Sequence, residues 1–336
     1  MIKVGIIGAG RIGRVHAESL YYHVKTAQIT AVSDPAMAPD MKEWLAERNI
    51  EAFAGYNEII NDPRIDAVMV CSPTKTHTEI AIAAIKAGKH VFCEKPISAD
   101  ISEIKAVMSE LEKTPVLFQV GFNRRYDHNF KAVREAVAAG RIGEPHIVKI
   151  TSRDPNPPSL DYVKVSGGLF LDMAIHDFDM ARFLTGSEVE EVFACGAVLV
   201  DPEIGKAGDI DTAVTTLKFA SGALAVIDNS RRAEYGYDQR AEVFGSKGLV
   251  SISNDTPSSA VISGKDGVTG EKPLYFFLER YMNSFTDEVT DFINAIEKGT
   301  PPAVLAYDGL QAVLIAKAAG KSLNENRPVK LSEIGV

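Results

Sequence analysis

Residues 4–13 read VGIIGAGRIG: an apolar run from Val4 to Ile7, then Gly8, Gly10 and Gly13 in G-x-G-x-x-G spacing. Each glycine answers a steric demand. Gly8 permits a tight strand-to-helix turn, Gly10 lets a pyrophosphate approach bare backbone, and Gly13 lets the new helix lie close on the strand. The helix that begins at Arg11 and Ile12 offers free N–H groups and a positive dipole end to phosphates. A second apolar run, Ile29–Val32, ends in Ser33-Asp34-Pro35. Asp34 falls about 20 residues beyond the glycines, where a carboxylate accepts hydrogen bonds from the adenosine ribose. An acidic group there repels a 2′-phosphate, and no Arg follows it at once. The expected cofactor is therefore NAD. A turn Asp before a Pro is the plain alternative, and the fingerprint and spacing together favour the cofactor.

Outward from this stretch, the first 120 residues alternate strand and helix signals. Strands are expected at 2–7, 28–33, 66–71, 89–93 and 116–120. Helices are expected at 12–21, 40–48, 56–61, 76–87 and 100–112. Such alternation predicts a doubly wound parallel sheet, a Rossmann domain over 1–121. Beyond Gly121 the pattern changes. A helix at 127–139 is followed by strands at 146–153, 189–200, 211–219, 222–229, 239–244 and 248–252. Further helices are expected at 169–184, 280–297 and 305–321. This predicts a second α+β domain over 122–336 with a large open, mostly antiparallel sheet. The Pro- and Gly-rich segment 154–168 is expected to be a loop.

Length and composition bound the function. The 336 residues suit two domains, and 46% apolar with 24% charged residues is ordinary for a globular chain with a sizeable core. A net charge of −9 argues against nucleic-acid binding and against an anionic membrane surface. The chain enters its first strand by residue 3, so no signal peptide is expected, and no apolar run is long enough to span a bilayer. Three cysteines, Cys71, Cys93 and Cys195, lack metal-ligand spacing and fit a reducing cytoplasm. No metal is expected.

Ligands bind such sheets beyond the C-terminal strand ends. Cys71-Ser72-Pro73, with His77 just after, and Cys93-Glu94-Lys95-Pro96 both fall there and are candidate cofactor contacts. A lone Lys usually snorkels on the surface. At this edge Lys95 instead reaches the nicotinamide and a substrate hydroxyl. Asp172 and His176 are four apart and so share one face of the helix expected at 169–184, with Asp179 near it and Leu171, Ile175 and Phe178 on the adjacent stripe. A His with an Asp one turn away suits proton transfer. A solvated face with a core histidine, or a metal site, is the alternative. Asn229–Arg240 reads either as the lining of a polyol pocket or as an exposed hairpin. Asn123-Arg124-Arg125-Tyr126 marks the domain junction.

Taken together, GAGRIG (8–13), EKP (94–96), GFNRRYD (121–127) and GGLFLDMAIHDFD (167–179) resemble the Gfo/Idh/MocA oxidoreductase family over nearly the whole chain. Segments 152–168, 172–184, 229–248 and 276–281 are similar to members that oxidise inositols. The resemblance implies a catalytic set of Lys95, Asp172 and His176, and substrate contacts from Asp179 and Tyr235, while Arg125 is a substrate candidate by its place at the domain junction. It implies NAD-dependent oxidation of a cyclic polyol, with myo-inositol at C2 foremost, as a step of inositol catabolism, and a homotetramer built through the C-terminal sheet. Ala174 and Asn156 depart from the usual pattern and would tune the stereoisomer accepted. Two other readings remain open. One is a dehydrogenase of scyllo-inositol, a pyranose or a nucleotide sugar, with Arg124, Arg125, Arg231 and Arg232 as a possible diphosphate pocket. The other is a non-catalytic NAD-binding sensor.

Overall fold

The computed structural model of the chain describes residues 1–335. Chain contacts divide it into two compact units, 1–126 with 283–311, and 127–282 with 312–336.

In the first unit, β1 (Ile2–Ile7) leads through α1 (Arg11–His23) to β2 (Ala27–Ser33), and α2 (Pro39–Ala46) leads to β3 (Glu51–Phe53). After α3 (Asn57–Ile60) come β4 (Ala67–Val70), α4 (His77–Lys86), β5 (His90–Glu94), α5 (Ile101–Lys113) and β6 (Phe118–Gly121). All pairings are parallel, in the order β3-β2-β1-β4-β5-β6. The strands read as short continuous apolar runs because helices cover both faces. β4 is buried at every position. Chain order reverses between β1 and β4, and a crevice opens beyond the carboxyl ends of strands at such a point. The three-residue β3, too short to show a period, was not foreseen.

In the second unit, α6 (His128–Ala138) is followed by β7 (Pro145–Arg153), α7 (Leu160–Ser166), α8 (Gly168–Asp172) and α9 (Ile175–Thr185). Next are β8 (Val189–Ala197), α10 (Pro202–Lys206), β9 (Thr212–Phe219), β10 (Leu224–Ser230), β11 (Asp238–Gly245) and β12 (Gly248–Ile252). A hairpin of β13 (Val261–Gly264) and β14 (Gly267–Gly270) precedes α11 (Phe277–Arg280), α12 (Met282–Lys298), α13 (Ala306–Glu325) and β15 (Val329–Lys330). The main sheet runs β12-β11-β7-β10-β9-β8-β15 and is antiparallel except where β10 lies parallel to β7. Strict alternation leaves one face buried, through Val148, Ile150, Leu217, Ala225, Ile227, Ala241 and Val243.

Three local readings change. The expected loop 154–168 contains α7. Its Ser159 side chain accepts from the Tyr162 N–H, and Gly167, at φ 87°, ends it. The expected helix 169–184 is two helices. The N–H of Ala174 bonds the Leu169 carbonyl five residues back, so the ladder changes phase at Met173–Ala174. The helix expected at 280–297, read with the residues beyond 122, lies mostly in the first unit. Val289, Phe292 and Ile293 of α12 pack into the core formed by Val4, Ile6, Leu20, Trp44, Met69 and Phe92.

Candidate active site

The glycine turn occupies the crevice between β1 and β4. Gly8, at φ 99°, donates to the Ser33 carbonyl at 2.8 Å. A Cβ there would lie 2.5 Å from the Ser72 nitrogen, and one on Gly13 would lie 2.0 Å from the Gly8 oxygen. Gly10 is different, because a Cβ there meets nothing within 4 Å. Its backbone faces open space. The amides that start α1 have no side-chain cap, and the first turn carries no acidic residue. Open backbone, uncapped N–H donors and a positive helix end fit a pyrophosphate. Arg11 and Ile12 begin that helix.

Asp34 follows β2 with both oxygens engaged, accepting from Ala9 N–H at 2.8 Å and Ala36 N–H at 2.7 Å. It therefore clamps the glycine turn onto β2. Beyond β4, Cys71 donates its N–H to Ile7 at 2.7 Å, and the Ser72 and Thr76 hydroxyls bond each other at 2.7 Å. The buried His77 ring spans the Ser72 carbonyl (2.7 Å) and the Pro96 carbonyl (2.9 Å). It ties the turn that includes Pro73 to the turn that carries Lys95. Glu94 and Lys95 end β5 half-buried, and the Lys95 N–H lies 3.3 Å from Glu94 Oε2. Arg125 Nη2 donates to Asp308 at 2.9 Å.

In the second unit Asp172 closes α8 and His176 opens α9. Asp172 accepts from the Tyr162 hydroxyl at 2.8 Å and from Arg231 Nη1 at 2.9 Å. Arg231 is buried and also lies 3.8 Å from Asp154. Asp177 accepts from Asn229 Nδ2 at 2.8 Å. Asp179 is 1% exposed and 3.9 Å from Arg182. The Tyr235 hydroxyl donates to Asp238 at 2.6 Å and accepts from Arg153 at 3.0 Å. Burial, then Asp238, pushes that hydroxyl above its usual value, so it stays protonated. Tyr235 lines a pocket with Asn156, Gly236, Pro273 and Tyr275, and Asn156 donates to the Tyr275 hydroxyl at 2.8 Å. Tyr162 and Arg231 were not read as partners of Asp172. Arg231 is 59 residues from it, and no periodic signal spans that gap.

Residues 2–122 match the NAD-binding Rossmann fold of the Gfo/Idh/MocA oxidoreductase family, and residues 130–251 match that family's C-terminal domain. The chain belongs to this family, and its cofactor is NAD. Among relatives, the myo-inositol 2-dehydrogenase of Thermotoga maritima is 54% identical, covering 99% of this chain and 99% of its own. An inositol 2-dehydrogenase of Rhizobium meliloti is 46% identical over 98% of this chain and 99% of its own. The crystal structure of a scyllo-inositol dehydrogenase from Lactobacillus casei, with NAD(H) and scyllo-inositol bound, has a TM-score of 0.91 at 31% identity, covering 99% of each chain. Among the described residues, no helix is long and apolar enough to cross a membrane.

Proposed function

We propose that the chain is an NAD-dependent inositol 2-dehydrogenase, oxidising myo-inositol at C2 to the 2-keto product. The observation that carries this is the likeness, 54% identity over nearly the whole chain, to the Thermotoga maritima enzyme. Asp172 supports it, being held by Tyr162 and Arg231 beside the helix start that bears His176. In this reading His176 takes the hydroxyl proton. Asp172 orients the ring and offsets its charge. Lys95 donates a hydrogen bond to the reacting oxygen and stabilises its developing negative charge. Bound NAD supplies the hydride acceptor. The carbon gives up a hydride and the oxygen a proton, so a ketone, NADH and a protonated base balance the step. Gly8, Gly10, Arg11, Ile12, Gly13, Asp34, Cys71, Ser72, Pro73, His77 and Glu94 are assigned to the cofactor, and Arg125, Asp179 and Tyr235 to the polyol.

The arginines weigh against a nucleotide sugar. Arg125 is paired with Asp308, Arg231 with Asp172 and Arg232 with Glu234, while Arg124 is buried. A diphosphate would have to displace those carboxylates. We also read the chain as a cytoplasmic homotetramer. Leu249, Phe244, Ile147 and Leu224 sit side by side across four strands on the open face of the large sheet, each exposed. Such an exposed apolar row supports the oligomer reading, because large apolar patches on a protein surface mark interaction sites. NADH formation with NAD and a panel of myo-inositol, scyllo-inositol and glucose tests the activity. Fastest turnover of myo-inositol is expected. Preference for another polyol reassigns the substrate, and NAD binding with no turnover favours the sensor.

A further inference from the structure

Behind the Lys95 turn lies a group of three side chains, two of which, His16 and Glu288, have no part in the proposed function, while the third, Glu94, is assigned there to the cofactor. His16 projects from α1, Glu94 ends β5 and Glu288 comes from α12, all in the first unit. Their ligand-type atoms lie within 4.8 Å of one another. His16 is fully buried, packed edge-on between Phe92 (5.0 Å between ring centres) and Phe285 (5.8 Å). Its Nε2 is 2.6 Å from Glu94 Oε1, while its buried Nδ1 has no partner. Glu288 is fully buried, and neither carboxyl oxygen meets a donor.

Counting protons assigns the states. A doubly protonated His16 would bury a second N–H without an acceptor, so the neutral ring that donates from Nε2 fits the geometry. Glu94 then accepts from His16 on one oxygen, and its other oxygen faces the Lys95 N–H. An ionised Glu288 would be a buried anion with no donor beside a second carboxylate, a costly arrangement. The neutral acid reverses this, because it carries no charge and turns Glu288 into a donor, with the Glu94 carboxylate within 4.8 Å. Burial first, then the charge on Glu94, raises Glu288 well above the ordinary carboxyl range. The other titratable neighbours are the Cys71 and Cys93 thiols, which burial and Glu94 also hold protonated. One negative charge, on Glu94, then serves the His16 ring and the Lys95 N–H, with the Glu288 acid as the cluster's third proton carrier. Gly121 fixes its place, since a Cβ there would stand 3.1 Å from the Glu94 carboxyl carbon.

We propose that His16, Glu94 and Glu288 form a buried proton-sharing cluster that positions the Lys95 turn, with Glu288 as a positioning residue acting in its neutral form. This rests on Lys95 being catalytic. A reacting group displaced by about 1 Å can lose about 10²-fold in rate. Three variants are compared with wild type for kcat, KM, NAD affinity and melting temperature. Glu288→Gln keeps a neutral donor and should hold kcat within about threefold, whereas Glu288→Leu fills similar space without one and should lower kcat about 10- to 100-fold, with NAD affinity nearly kept. The wild-type infrared spectrum at neutral pH should show a protonated-carboxyl stretch that Glu288→Gln abolishes, a readout that survives even if the Leu variant fails to fold. Equal kcat in the Gln and Leu variants, no such band, or a divalent metal that copurifies with wild type and is lost in Glu288→Gln would each overturn the proposal. Full activity in Lys95→Ala would instead overturn the catalytic reading of Lys95, and the infrared band would still decide the cluster.

Discussion

Asp34 and His176 have separable tasks, and single substitutions distinguish them. Asp34 clamps the glycine turn by accepting from Ala9 and Ala36, and the proposed ribose contact falls to the same carboxylate. Asp34→Ala should weaken NAD binding and narrow the preference for NAD over NADP, read as the ratio of kcat/KM for the two cofactors. An unchanged ratio would remove the ribose role. His176→Ala should lower kcat by about 10²–10⁴-fold, the usual worth of general acid–base catalysis, with NAD affinity kept. Near-normal turnover would end its assignment as the base. The place of Asp34 just after β2 was legible because distance along the chain from the glycines sets it. The partners of Asp172 were not, because Tyr162 and Arg231 reach it from α7 and from the end of β10.

Elements carry two further predictions. The first helix packs against β1 through the bare backbone of Gly13, where a methyl group would stand 2.0 Å from the Gly8 oxygen. Gly13→Ala should destabilise the first unit by about 1–3 kcal/mol, the range for overpacking, and weaken NAD binding. Urea unfolding checks the first effect and fluorescence titration the second. In the second unit, burial alone would push Asp238 up, but hydrogen bonds from Arg240, Tyr235 and Asn254 outweigh it and hold the carboxyl below its usual range. A depressed carboxyl contributes stability above its unfolded value, near pH 3.9, and loses it as pH falls through the folded value. Melting temperature should therefore drop more steeply below about pH 4 in wild type than in Asp238→Asn. A parallel decline would show that Asp238 has no part in acid lability. The strands were readable from apolar runs in the first unit and from period-two alternation in the second. The α8–α9 break was not, since Met173 and Ala174 carry no Pro or Gly signal.

At the scale of the whole molecule, the exposed row Leu249–Phe244–Ile147–Leu224 bears on assembly. Replacing Phe244 and Leu249 together with Glu should convert the proposed homotetramer to a smaller species by light scattering. Unchanged mass would place the interface elsewhere. This face was legible only as a large open sheet. Which side stays uncovered depends on which side α9 and its neighbours occupy.

The sequence alone determined what is local or periodic: the glycine turn, Asp34, the alternation that builds a parallel sheet, and the shift to longer strands after Gly121. Each follows from backbone sterics and from side chains repeating at the period of their element. Tertiary structure alone decided what joins distant segments. It placed 283–311 in the first unit. It gave Asp172 its arginine and set Glu288 beside His16 and Glu94. Such contacts are chosen by packing and by satisfying buried charge, and neither leaves a repeat in the sequence that could announce it.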